Sequence, residues 1–169
     1  RTNGARRMLQ IFTRAASRAA LLSFMVALVL GLLACAGEAT MKTERLTLVT
    51  SAGEKMIDIE VAMTPEEKSK GLMFRTALAD TAGMLFPYDG PPQDITMWMK
   101  NTYIPLDMVF IRADGVIHRI AVKTEPLSEA VIAAGAPVTG VLELAGGAAE
   151  RLGLEAGDRV LHPHFKPKK

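Results

Sequence analysis

From residue 44 to 63 apolar side chains recur at alternate positions, with Ile57, Ile59 and Val61 separated by Asp58 and Glu60. That period of two belongs to a strand with one buried face. It predicts strands over 44–50 and 55–63, joined through Ser51, Ala52, Gly53 and Glu54 as a hairpin. The pattern then changes. Thr64, Pro65, Glu66 and Glu67 open a helix, with threonine as N-cap, proline at the first helical position and glutamate at the third forming a capping box, and Gly71 as the stop.

Beyond the helix the period of two returns. A short apolar strand is predicted at 83–86, followed by a Pro/Gly-rich loop over 87–92. Next, Ile95, Met97 and Met99 fall on one face of a strand and Thr96, Trp98 and Lys100 on the other. A turn is predicted at 101–105. The strand 106–112 follows, with Leu106, Met108 and Phe110 inward and Asp107 outward. Asp114-Gly115 between apolar runs predicts a hairpin with a type I′ turn and a partner strand reaching about residue 123. A strand at 138–144, a short helix at 147–152 closed by Gly153 and a last strand at 158–161 complete the set, with 162–169 expected to fray. About seven short strands and two brief helices define a mainly β fold, a compact β-sandwich or jelly-roll-like barrel. No strand–helix alternation of the parallel α/β kind occurs.

The first 37 residues read differently. They carry Arg1, Arg6, Arg7, Arg14 and Arg18 and no acidic residue, and 19–36 is apolar except for Ser23. This is the pattern of a signal peptide, and Ala34-Cys35-Ala36 fits the small-x-small cleavage rule. Leu32, Leu33, Ala34 and Cys35 also resemble a lipobox, which makes Cys35 the candidate lipidation site. The expected organisation is a leader over 1–37 and one β domain over 38–169 with its core at about 44–162. The expected location is the periplasm, free or anchored to the outer membrane, with membrane contact only through the leader or a lipid. With those arginines set aside, the net charge of +2 gives way to 15 basic and 18 acidic side chains in 38–169. A nucleic-acid partner is not expected of such a balance. Cys35 is the lone cysteine, so no disulfide joins parts of the domain.

Candidate chemistry is sparse. His118 is the only histidine outside the tail and G-x-S-x-G is absent, so a hydrolytic triad has no evident parts. Eight of the ten methionines lie beyond the leader, mostly in apolar patterns where methionine fills a core, and His162 and His164 read as a free tail pair; no metal or cofactor is expected. What stands out is 94–107, which holds the only tryptophan, Trp98, with Lys100, Asn101, Tyr103 and Asp107 close by. Glu143 interrupts the apolar Val141-Leu142-Glu143-Leu144, a place for a solvated carboxylate or one paired with Arg75 or Lys100. Arg75 closes an apolar run and offers a fork for carboxylate or phosphate.

Gly71-Leu-Met-Phe-Arg75, Gly83-Met-Leu-Phe86, Trp98-Met-Lys-Asn-Thr102 with Ile104-Pro-Leu-Asp107, and Val141-Leu-Glu-Leu144 with Gly157-Asp158 resemble, in order and spacing, the domain of unknown function 192 family over about 44–162. The resemblance implies a small, often exported prokaryotic protein with a compact β-sandwich or jelly-roll-like fold, and brings no established activity. It also implies a polar signature at Arg75, Lys100, Asn101, Asp107 and Glu143. The expected function is binding of a small polar or anionic ligand in the cell envelope by Arg75, Trp98, Lys100, Asn101, Asp107 and Glu143. The alternatives are a hydrolase using Asp107 or Glu143 as acid/base with Lys100, and a structural or interaction module that docks an envelope protein.

Overall fold

The structure, a computed structural model, describes residues 41–166. The leader and Cys35 lie outside the described residues. Nine strands and two short helices follow in the order β1 (Lys42–Thr50), β2 (Gly53–Val61), α1 (Pro65–Lys70), β3 (Ala82–Pro87), β4 (Thr96–Met97), β5 (Leu106–Ile111), β6 (Ile117–Thr124), β7 (Ile132–Ala133), β8 (Gly140–Ala145), α2 (Ala148–Leu152) and β9 (Arg159–Leu161). Seven strands make one sheet in the order β6-β5-β8-β3-β2-β1-β9, and β4 with β7 makes a two-stranded ribbon. The fold is thus mainly β with two short helices.

The sheet curls until its ends meet. Val116 bridges Arg159, and the Val160 amide donates to the Gly115 carbonyl at 2.8 Å. All pairings are antiparallel except β2 with β3; α1 lies within that parallel crossover. Thr64 caps α1 as its sequence predicts: its hydroxyl accepts from the Glu67 amide while the Glu67 carboxylate accepts from the Thr64 amide.

Two apolar clusters sit on the two faces of the sheet. Leu46, Leu48, Ile57, Ile59, Val109, Leu144 and Val160 belong to one; Met84, Phe86, Met99, Leu106, Met108, Phe110 and Val141 belong to the other. Burying each such side chain contributes roughly 1.5–3 kcal/mol. In β5 and β8 both faces are covered, so every residue of β5 is buried. Asp107, expected outward, is therefore buried as well. Alternation tells which residues share a face, and here neither face meets water.

Two further expectations are corrected. Gly115 has φ 81° but Asp114 is not left-handed, and the Gly115 amide donates to the Arg112 carbonyl at 2.9 Å. The hairpin is a three-residue connection with glycine in the left-handed bulge position, not a type I′ turn. The tail does not fray through residue 166. His162 Nε2 lies 2.9 Å from the Glu44 carboxylate, His164 Nε2 lies 2.8 Å from the Thr139 carbonyl, and Phe165 is buried in the first cluster. The histidines are therefore engaged, not a free pair.

Candidate functional site

Asp107 and Glu143 sit one register step apart on neighbouring strands, since Asp107 opposes Leu144 and Met108 opposes Glu143. Their side chains consequently leave opposite faces of the sheet. Asp107 points to the α2 side. One carboxylate oxygen accepts from the Lys123 amide at 2.7 Å and the Gly147 amide at 3.0 Å, and the other from the Ala149 amide at 2.9 Å. Gly147, the N-cap of α2, has no side chain to cap with, so Asp107 caps that helix from across the sheet. It also holds Lys123, at φ 47°, in the irregularity where the β5–β6 ladder shifts register. Three backbone amides thus occupy both oxygens of this buried carboxylate and tie β6 and α2 to β5.

Glu143 points the other way. It is 4% exposed, and no described residue donates a hydrogen bond to its carboxyl or forms an ion pair with it. Burial pushes its pKa up to about 8, so at neutral pH it is a protonated carboxylic acid with one O–H to donate. It lines a cavity of about 110 Å³ together with Leu72, Phe86, Tyr88, Trp98 and Lys100. Desolvation, and then the neighbouring Glu143, push the Tyr88 phenol above its ordinary range.

The rim of this pocket is cationic and aromatic. Lys100 Nζ stands 5.1 Å from the Trp98 ring centre and 3.9 Å from the Glu129 carboxylate. Lys68 Nζ stands 4.7 Å above the Tyr88 ring. Trp98 is 47% exposed. Strand alternation through 95–99 places these groups as expected, with Ile95 and Met99 buried and Trp98 outside, although the regular strand itself is only the two residues of β4.

Of the six sequence-predicted site residues the structure brings together Trp98, Lys100 and Glu143. Arg75 is elsewhere occupied: its Nη2 donates to both oxygens of Glu60 at 2.7 Å, so it pairs with β2 and not with Glu143. Asn101 is a turn residue at φ 54°; its carbonyl accepts from the Phe74 amide at 2.8 Å, and its side-chain nitrogen reaches only the Met73 sulfur at 3.9 Å. Lys68, Lys70 and Tyr88 are among the pocket residues that sequence reasoning missed. Their signal was weak, lysines on a short polar helix and a tyrosine after a proline. Among the described residues no group of three or more His, Asp or Glu side chains is placed to hold a metal ion.

The profile of the DUF192 family, described as an uncharacterized ACR, matches residues 47–162. Two solved structures are similar throughout the domain. One, provisionally described as a transcription regulator from Sinorhizobium meliloti 1021, is 42% identical, with a TM-score of 0.73, covering 76% of this chain and 100% of that one. The other, a protein of unknown function from Novosphingobium aromaticivorans DSM 12444, is 39% identical, with a TM-score of 0.70, covering 75% of this chain and 89% of that one. A search of curated proteins returns no match.

Proposed function

This chain belongs to the DUF192 family, and we propose that its domain binds a small polar or anionic ligand in the cell envelope, reached through the leader that the first 37 residues resemble. One observation carries the reading: Glu143, 4% exposed and without a hydrogen-bond partner among the described residues, faces a cavity lined also by Lys68, Lys70 and Lys100. Its carboxyl oxygens are not fully enclosed, since Thr139 Oγ1 alone among the described residues is a fully buried side-chain polar atom without a partner, so the Glu143 carboxyl stays open to a molecule entering the cavity. A ligand that accepts from the Glu143 O–H and offers negative charge to Lys100 supplies both with a partner.

The acid/base alternative has less support. Asp107 is filled by backbone amides and faces away from Lys100, which leaves Glu143 alone to serve as acid and base.

Thermal-shift and NMR titrations with acetate, lactate, galacturonate and inorganic phosphate test it. We expect at least one of these anions to raise the melting temperature and to move resonances of residues around Glu143, with both responses lost in Lys100→Ala and reduced in Glu143→Gln. No response from any of them would overturn the proposal. Mass spectrometry of the mature N-terminus, with cell fractionation, tests export and lipidation at Cys35: an uncut chain recovered in the cytosolic fraction would remove the envelope from the reading.

A further inference from the structure

The pocket does not end at its mouth. Ser69, Met73, Trp98 and Lys100 line both the cavity over Glu143 and a larger open groove of about 690 Å³ beside α1, whose outer wall includes Glu66 and Phe74. Phe74 is the anomaly of this groove. Its φ is 65°, in the left-handed region that favours glycine or asparagine and that a bulky residue enters at a cost. Its ring is nonetheless 55% exposed, touching the edge of Tyr103 at 6.0 Å between centres. Tyr103 is itself 51% exposed. The backbone here calls for glycine and the exposure calls for a polar side chain, and a phenyl ring meets neither demand. Strain retained at an exposed ring points to a contact that the ring makes with something else.

The lining says what that something is. Aromatic faces at Trp98 and Phe74 are interleaved with hydrogen-bonding groups at Glu66, Ser69 and Lys100. A sugar has the matching anatomy, with a C–H face that packs on a ring and hydroxyls around its edge. An acyl chain would want an enclosed apolar channel, and this groove is open and mixed. Lys68 and Lys100 at the cavity mouth set the sign of the substituent. Among the described residues Lys100 is held by a ring and by Glu129 at 3.9 Å, contacts loose enough for it to turn to a carboxylate.

We infer that the cavity and the groove form one continuous site for an acidic oligosaccharide, in which a uronic-acid unit places its carboxylate between Lys100 and Glu143 and the following rings lie on Trp98 and Phe74. The inference rests on the cavity being a ligand site, as proposed above.

Calorimetric titrations of the protein with galacturonic acid, trigalacturonate, maltotriose and triglutamate test it. Trigalacturonate is expected to bind at least tenfold tighter than each of the other three. Phe74→Gly is expected to erase the gain of trimer over monomer, to leave monomer affinity within twofold, and to keep the melting temperature at or above that of the parent, because glycine relieves the backbone. A ring needed only for packing would lower that temperature. If galacturonic acid binds and the trimer gains nothing, or keeps its gain in Phe74→Gly, the groove inference falls and the cavity reading stands. Maltotriose or triglutamate binding as tightly as trigalacturonate would also overturn it, in favour of a neutral glycan or an acidic peptide. If neither galacturonate nor its trimer binds, and acetate and phosphate fail too, both readings fall together.

Discussion

Asp107 and Glu143 are two buried acids on adjacent strands, 0% and 4% exposed, and they differ in almost everything that matters chemically. Asp107 is surrounded by amides that belong to the chain. Glu143 faces a space that the chain leaves open. One side of the sheet thus uses a carboxylate to hold α2 and the β6 irregularity in place, while the other keeps a protonated acid waiting at a cavity. Burial and residue type are alike, so neither separates structure from function; the supply of donors does.

Breaking Asp107 should have the largest effect. Asp107→Ala strands three amide donors, two of them buried, and is expected to destabilise the domain by about 3 kcal/mol or more, read as a lower midpoint in urea denaturation, whereas Glu143→Gln should raise the midpoint at pH 6, by about 2 kcal/mol in stability, because glutamine needs no proton to stay neutral there. If the two variants lose equally, the contrast between the faces is wrong.

A pH series sharpens the same contrast. Glu143 is raised from 4.5 to about 8 in the folded chain, so between those values the unfolded chain has released a proton that the folded one keeps. Stability then falls as pH rises through that window, by at most about 1.4 kcal/mol per pH unit. The slope should vanish in Glu143→Gln. Glu44, Glu67, Asp80 and Asp114 are held below their ordinary values, and the stability they contribute is lost at more acidic pH, outside this window. Denaturation midpoints at pH 5, 6, 7 and 8 check the first sign, and midpoints at pH 3 and 4 the second.

Smaller effects belong to the charges outside the sheet's interior. Arg75→Ala removes a half-exposed ion pair with Glu60 and should cost about 0.5–1 kcal/mol, with no change in anion binding; a loss of binding would return Arg75 to the site. Lys100→Ala should shift stability by less than about 0.5 kcal/mol yet abolish the anion response, the reverse of Asp107→Ala.

Much of this was legible before the fold was. The capping box of Thr64 and Glu67, the hairpin of β1 and β2, and the shared face of Trp98 and Lys100 follow from local pattern, because each depends on neighbours a few residues away. Glu143 was conspicuous as a charge in an apolar strand. Its solitude was not, since Arg75 was an equally good partner on paper until Glu60, 15 residues earlier in sequence, turned out to hold it. Asp107 was read on the wrong side of the water line because alternation cannot tell a solvated face from one covered by distant elements. The tail was misjudged for a related reason. Phe165 has a seat only because Gly140 leaves one: a β-carbon there would lie 2.7 Å from its ring.

The sheet closes by joining chain ends. Among the described strands β1 is the first to be synthesised, and its outer edge is completed only by β9, through pairs such as Thr47 with Leu161. Those residues are more than a hundred positions apart, so a nascent chain emerging from the ribosome cannot complete this sheet until residue 161 is made. The molecule carries its own timer. Until then the outer edge of β1 stays unpaired, and whatever binds the chain as an extended strand competes with β9 for that edge.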